Sequence, residues 1–519
     1  MKWIKNLSEL ICKQEKNIAK YLCQKIYAGS TNIFDKNIVD SIKDIFQNSL
    51  RELESKKTTL PTANTCEVFV FGDIHGRLDV IIQSLFVAGF INKGDDLINR
   101  KINIIFEGDI FTRGPYPLET LLFIFLLQDL AKVKGGNVKI LFGNNDMDYL
   151  IMSFIMNRFK NYPSVLMDRL SFFFKKISNY QIISDATKKK EYTKCLVSLV
   201  GNGYLKFNRF CFYHAIDKFC FDFVHAGIEK ATYIKMLNHF GKISMNDFIV
   251  QSKNKKISLT DVENLMIKKR LSHQQLAKNV NCDIKKNYEE FMGMATYCYL
   301  KLLIEEIEKK IKELQPKAEN FLATLKKYEA SLKSCKSYIG KFKPTKNTID
   351  MYGYIHAGIT DDYKVYEGTG LYFTKNKAYR SLGISNKSRI TDPEFIKDSP
   401  KYFKMVGHKP NIQGPKEKGG NPNHPSMNAS RKGDGFFSHI HKVIQSDHYM
   451  EYGYQSFYGF TKNGILVEFY NPDKSGATSG KFYERGIKPL KIDKWKTTFP
   501  FDKRPTRDFC KNIEQTLIL

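Results

Sequence analysis

The sequence predicts a mixed α/β fold, of the α+β kind, organised around residues 68–148. Three observations carry this. Three short apolar runs, at 68–71, 102–106 and 138–142, are rich in β-branched and aromatic residues and read as buried parallel strands. Helix-length apolar segments, at 78–88 and 118–130, separate them, and a βαβαβ order predicts a sheet covered on both faces. Each run also stops at a glycine and then presents polar residues: Gly72-Asp73-Ile74-His75-Gly76, Gly108-Asp109 and Gly143-Asn144-Asn145-Asp146. Ligands of open α/β sheets gather outside the carboxyl ends of the strands. Asp73, His75, Asp109 and Asn144 are therefore expected at one sheet edge.

Along the chain, residues 1–60 read as a helical cap, with Trp3, Ile4, Leu7, Leu10 and Ile11 at helical spacing. Its lysines also allow a membrane-surface helix. Pro61 with Thr62, Asn64 and Thr65 marks a boundary. Pro115 and Pro117 open the helix at 118–130, and Gly135-Gly136 closes it. Residues 148–200 read as helical. Two strands at 209–214 and 218–225 form a hairpin turning at Ile216-Asp217, and the second ends in His225-Ala226-Gly227-Ile228. The same tetrapeptide recurs at His356-Ala357-Gly358-Ile359. Between the copies, Ile304, Ile307, Ile311 and Leu314, then Phe321, Leu325, Tyr328, Leu332, Cys335 and Ile339, step by fours and threes. That spacing predicts an antiparallel coiled-coil hairpin inserted in the main domain, its second helix opened by Pro316 and a helix at 259–277 joining it. After Pro344 the main fold is expected to resume, with a strand ending at Gly407-His408, a Gly- and Pro-rich loop over 410–436 and closing strands at 443–447 and 464–469.

A chain of 519 residues exceeds one ordinary core, so two or three domains are expected. The net charge of +28, from 82 basic and 54 acidic residues, reads mainly as a solvated lysine-rich surface. It also suits phosphate-bearing or acidic partners, or an anionic membrane surface. None of the ten cysteines forms a C-x-x-C pair, which argues against a zinc knuckle and for reduced core thiols in a cytoplasmic setting. The first residues contain no uninterrupted apolar run, so a cleaved signal peptide is not expected. No window approaches 18 apolar residues, so no transmembrane segment is expected.

Two carboxylates, an imidazole and an amide oxygen form a mixed oxygen and nitrogen set suited to divalent metals. In the order Asp73-x-His75-Gly76, Gly108-Asp109-x-x-x-Arg113-Gly114 and Gly143-Asn144-x-Asp146, these residues resemble the calcineurin-like metallophosphoesterases. The Arg-Gly ending of the second motif is most similar to the phosphoprotein phosphatase branch. The resemblance implies a metallophosphoesterase β-sandwich flanked by helices, holding two divalent metal ions, Mn2+ foremost, with Fe, Zn or Mg as alternatives. It implies a first ion on Asp73, His75 and Asp109 and a second on Asp109, Asn144, His225 and His408. His225 is preferred to His356 because its hairpin is better formed and follows the third motif sooner. Two ions about 3.5–4 Å apart can hold a hydroxide and clamp the phosphoryl oxygens. Arg113 would grip the phosphate through its planar fork, with Arg380, or else Arg389, as a second clamp.

One departure from the family is chemical. The third motif usually carries a histidine where this chain has Asn145, and that histidine, paired with the following acid, here Asp146, is taken as the proton donor. Asparagine cannot donate that proton, and losing a general acid costs about 10²–10⁴-fold. A phenolate leaving group, with a parent pKa near ~10, tolerates the loss far better than an alkoxide. The expected activity is therefore a metal-dependent protein phosphatase biased to phosphotyrosine, with a phosphoprotein substrate. His214, His439 or His441 could instead supply the proton. The inserted hairpin and Asn145 also resemble the Wip-type bacterial effector tyrosine phosphatases, which would place the protein in a host cell cytosol.

The expected layout is a cap at 1–60, the catalytic domain at 61–250 and 346–485, the helical hairpin at 251–345 as a possible docking arm for a protein partner, and a basic tail at 486–519. Two rival readings stand beside it. One is a nucleotide or dinucleoside polyphosphate phosphodiesterase, although the loop after His408 lacks the alternating aromatic and basic residues of a nucleic-acid surface. The other is a decayed scaffold that uses the helical arm.

Overall fold

The computed structural model describes residues 34–55, 66–88, 90–91, 101–110, 114–158, 208–209, 211–216, 219–225, 230–244, 246–248, 259–316, 320–345, 348, 364–366, 370–372, 402–406, 436–438, 443–445, 455–461, 466–471 and 483–485. The chain divides into two compact units, one of residues 1–143, 207–225 and 393–519, the other of residues 144–206 and 226–392.

Among the described residues, the first unit starts with helix α1 (Phe34–Ser55), which buries Ile42, Ile45 and Phe46. Strand β1 (Cys66–Phe71), helix α2 (Leu78–Val87), strand β2 (Asn103–Phe106), helix α3 (Pro117–Val133) and strand β3 (Asn137–Leu141) follow in the expected order. The β1, β2 and β3 strands pair in parallel, with Phe71 opposite Phe106 and Phe106 opposite Ile140. Eleven of the fifteen side chains in these strands are buried, as suits a parallel sheet covered by helices. Pro117 sits in the first turn of α3, where its missing N–H is no loss.

The second unit begins with α4 (Asn144–Arg158). The chain then returns to the first unit with the short β4 (Asn208–Arg209) and the hairpin β5 (Cys211–Ile216) and β6 (Phe219–Val224), closing with Ile216 opposite Phe219. Helices α5 (Lys230–Gly241), α6 (Leu259–Lys268), α7 (His273–Lys286), α8 (Tyr288–Glu313) and α9 (Phe321–Lys341), with a small hairpin β7 (Lys364–Tyr366) and β8 (Gly370–Tyr372), belong to the second unit. Strands β9 (Tyr402–Val406), β10 (Phe436–Ser438), β11 (Val443–Gln445), β12 (Gln455–Thr461), β13 (Leu466–Asn471) and β14 (Tyr483–Arg485) complete the first unit.

The fold is mixed α/β, with a central seven-stranded sheet flanked by helices. Its order is β14-β13-β12-β1-β2-β3-β4, and a five-stranded sheet runs β10-β11-β9-β6-β5. The β12 strand was not expected. It lies antiparallel to β1 and stacks Phe457 on Phe71 with ring centroids 5.1 Å apart. Its signal is muted because Gly459 interrupts a run of aromatics.

Two helix boundaries differ from expectation. The single helix expected over 259–277 is two, α6 and α7, because Arg270 takes a left-handed φ of 55° and Leu271 N–H closes back on Met266 O at 2.8 Å. Ser272 then caps α7 by accepting from Gln275 N–H. Pro316 does not open the second arm helix; α9 starts at Phe321, behind Asn320 at a φ of 65°.

The arm itself is an antiparallel pair. Lys336 Nζ meets Glu308 at 2.8 Å, and Phe342 meets Tyr297, so pairs move down one helix as they move up the other. Ile307 and Cys335 are fully buried on the two helices. Burial pushes the Cys335 thiol up to about 11. Cys66, Cys282, Cys298 and Cys335 are free thiols. Among the described residues, no helix is long and apolar enough to cross a membrane.

Candidate metal centre

The ends of β1 and β2 carry the first three site residues, and their loops are tied together by the backbone. His75 N–H donates to Asp109 O at 2.8 Å and Gly76 N–H donates to Ile110 O at 2.7 Å. Glu107 N–H donates to Phe71 O at 2.9 Å, continuing the parallel ladder to the strand ends. His75 and Asp109 both take left-handed φ values, 51° and 50°. Non-glycine residues are seldom held there unless the surroundings over-determine them, and such strain collects at functional sites.

Glycines let these loops close. Gly108 has a φ of +108°, and a Cβ there would stand 2.6 Å from Gly143 N and 2.8 Å from His225 Nδ1. A Cβ on Gly143 would strike the Asp109 backbone and carboxylate, and one on Gly114 would strike His75 O. The Asp109 carboxylate is thus cradled by main chain.

Four predicted residues come together here: Asp73, His75, Asp109 and His225, each no more than 2% exposed. His75 Nε2 lies 4.0 Å from Asp73 Oδ2 and 3.9 Å from Asp109 Oδ2. His225 Nδ1 lies 3.7 Å from Asp73 Oδ1, and its Nε2 lies 3.8 Å from Asp109 Oδ1. These separations are too long for hydrogen bonds. The separations from His75 Nε2 and from His225 Nε2 fit a shared cation, because two ligand atoms each about 2.1 Å from one ion stand at most about 4.2 Å apart. The ligand atoms of Asp73, His75 and Asp109 all lie within 4.8 Å of one another. Burying two carboxylates costs several kcal/mol apiece unless positive charge opposes them, and divalent cations would supply it.

The His225 tautomer is set by its partner. Its Nδ1 lies 2.7 Å from Glu107 O, and a carbonyl only accepts, so Nδ1 carries the proton. In the neutral ring Nε2 then offers a lone pair on the side of Asp109, the arrangement that orients metal-binding histidines. Glu107, fully buried, was missed from the sequence; its role runs through its backbone, which leaves no side-chain signal.

Asn144, Asn145 and Asp146 form the first turn of α4, where Asp146 is buried and Asn145 is half-buried. The Asn144 side chain, and all of Arg113, His356, Arg380, Arg389, His408, His439 and His441, lie outside the described residues, as does the His214 side chain. His225 is therefore the one of the two tetrapeptide histidines that the described residues bring to Asp73 and Asp109.

The family signature covers this whole region: the calcineurin-like phosphoesterase family matches residues 67–277. This chain carries a calcineurin-like metallophosphoesterase domain. The family is one of phosphoesterase hydrolases. Shewanella-like protein phosphatase 1 of Plasmodium berghei is 29% identical over 133 residues, 26% of this chain and 34% of that protein. That match agrees with the phosphoprotein phosphatase branch expected from Arg113-Gly114. The symmetrical bis(5'-nucleosyl)-tetraphosphatase of Vibrio cholerae is 41% identical over 69 residues, 13% of this chain and 23% of that protein. These alignments span about a third of their relatives' length or less. A solved cold-active protein-tyrosine phosphatase of a psychrophilic Shewanella species aligns over 81% of this chain and 80% of its own, at 15% identity with a TM-score of 0.33, too low a superposition to argue from.

Proposed function

We propose that this chain is a metal-dependent phosphatase acting on phosphomonoesters of proteins, biased toward phosphotyrosine. The observation that supports it most is the buried convergence of Asp73, His75, Asp109 and His225 at the ends of three strands drawn from two sheets. Bound divalent cations would polarise phosphoryl oxygens and lower the pKa of an attacking water. Mn2+ is the first candidate.

The chain's own groups would do the rest. Asp109 presents one carboxylate oxygen toward each histidine, so it is the residue suited to bridging two ions. Glu107 O holds the His225 ring in the ligand tautomer. Asn144 and His408 are proposed to complete the second ion's shell. Arg113 and Arg380 are proposed to grip the phosphate through planar guanidinium forks. Asn145 and Asp146, at the start of α4, offer no imidazole to protonate a leaving group. A phenolate leaves without that proton more readily than an alkoxide, and this carries the phosphotyrosine bias. Delivery into a host cell, as for Wip-type effectors, is a further part of this reading.

The test is turnover of an aryl phosphate with added Mn2+, followed by matched phosphotyrosine and phosphoserine peptides. Wild type is expected to require the metal and to favour phosphotyrosine, and Asp109→Asn to lose more than about a hundredfold. A clear phosphoserine preference would sink the leaving-group argument, and full activity in Asp109→Asn would sink the bridging role. The local identity to a bis(5'-nucleosyl)-tetraphosphatase supports a second reading, dinucleoside polyphosphate hydrolysis. Turnover of a diadenosine polyphosphate but not of phosphopeptides would put that reading first.

A further inference from the structure

The residue after the first metal motif is a cation, which is an awkward neighbour for divalent ions. Arg77 follows His75-Gly76 directly, and its Cα lies within about 7 Å of that of His75 by chain geometry. Its guanidinium is not left bare. Nε lies 2.9 Å from Asp79 Oδ1 and Nη2 lies 2.7 Å from Asp79 Oδ2, a bidentate fork in which Arg77 is 16% and Asp79 27% exposed.

The fork sits at the seam of the two metal loops. Arg77 N–H donates to Ile74 O, and Arg77 O accepts from Ile81 N–H, starting α2. Tyr116 N–H donates to Gly76 O at 2.9 Å. The Tyr116 phenol is half-buried and feels Asp79, Arg77 and Glu119. Glu119, 6% exposed in the first turn of α3, is the second carboxylate of this cluster.

We infer that the Arg77–Asp79 pair tunes the affinity of the adjacent centre for divalent cations, Asp79 cancelling the repulsion that Arg77 would otherwise exert on them. The inference rests on the metal-centre reading above and adds to it a determinant outside the ligand set. Its physical basis is sign. Like charges repel and a neutralised pair does not, and salt screens part of that repulsion because both side chains are partly exposed. A purely structural brace makes a different prediction, because breaking it from either end has the same effect.

The experiment is calorimetric titration of Mn2+ into the full-length protein stripped with chelator, at low and at high salt, with melting of each metal-free variant as the folding control. Asp79→Asn is expected to weaken Mn2+ binding about threefold to tenfold by removing the carboxylate that forks Arg77, and Arg77→Gln to tighten it by a similar factor. The double variant is expected within about twofold of wild type, Asp79→Glu at the wild-type value, and all differences to shrink in high salt. Equal weakening by both single variants, or no change in either, overturns the inference while leaving the metal centre standing. A wild type that takes up no Mn2+ overturns the metal-centre reading itself, and this inference with it.

Discussion

At the scale of single residues, the site is made by what is missing as much as by what is present. Gly108 lets β2 end against Gly143 and the His225 ring; no side chain fits there at a φ of +108°. Gly108→Ala is expected to cost at least about 1–3 kcal/mol of stability, from forced contact and strain together. It should also weaken Mn2+ uptake, because the added methyl presses on the ring that Glu107 O orients. Urea unfolding and metal titration check both, and a variant as stable and as avid as wild type would show that the cradle yields. His75 and Asp109 pay for their left-handed backbones through the two hydrogen bonds that join their loops.

At the scale of elements, the arm shows how far periodicity can be trusted. Ile307 and Cys335 fall on the seam read from the four-three spacing and are fully buried, while Leu322, off that seam, is 68% exposed. Ile307→Ala should therefore cost about 2–5 kcal/mol, and Leu322→Lys less than about 0.5 kcal/mol. Thermal melting of the two variants separates these outcomes, and equal losses would mean that the outer face is covered by something. The α6–α7 break carries a complementary lesson. Apolar spacing runs through it, but Arg270 turning left-handed and the Ser272 cap end one helix and start another. Local capping won over periodicity there, as it does where a chain must change direction.

At the scale of the whole molecule, both sheets of the first unit are closed by residues far downstream. The β1 strand, at Cys66–Phe71, takes its antiparallel neighbour from Gln455–Thr461, and β6 takes its parallel neighbour from Tyr402–Val406. Pairings this distant in sequence are slow to form and do not survive loss of either end. A chain cut after residue 392 would leave β1 and β6 with exposed edges and uncover Phe69 and Phe71, which pack on Phe457. It is expected to be insoluble or to unfold without cooperativity, read by soluble yield and circular dichroism melting. A stable, metal-binding fragment would show that the strands after residue 392 are dispensable.

Residues 68–146 were legible in the sequence because each signal there is local. A parallel strand buried on both faces must be apolar throughout, and the glycine and polar residue at its end follow it directly. Asp73, His75 and Asp109 could be read as one set for that reason, and His225 because a well-formed hairpin leads to it. What only the tertiary structure decided is how distant segments meet: the His225 tautomer set by Glu107 O, the close packing of Gly108 and Gly143 around Asp109, and the interior place of β12 beside β1. None of these has a signature along the chain, since each arises from backbone groups or from partners brought together by folding. Sequence pattern fixes which residues share an element, whereas the distances that give them a common chemistry are set by packing between elements.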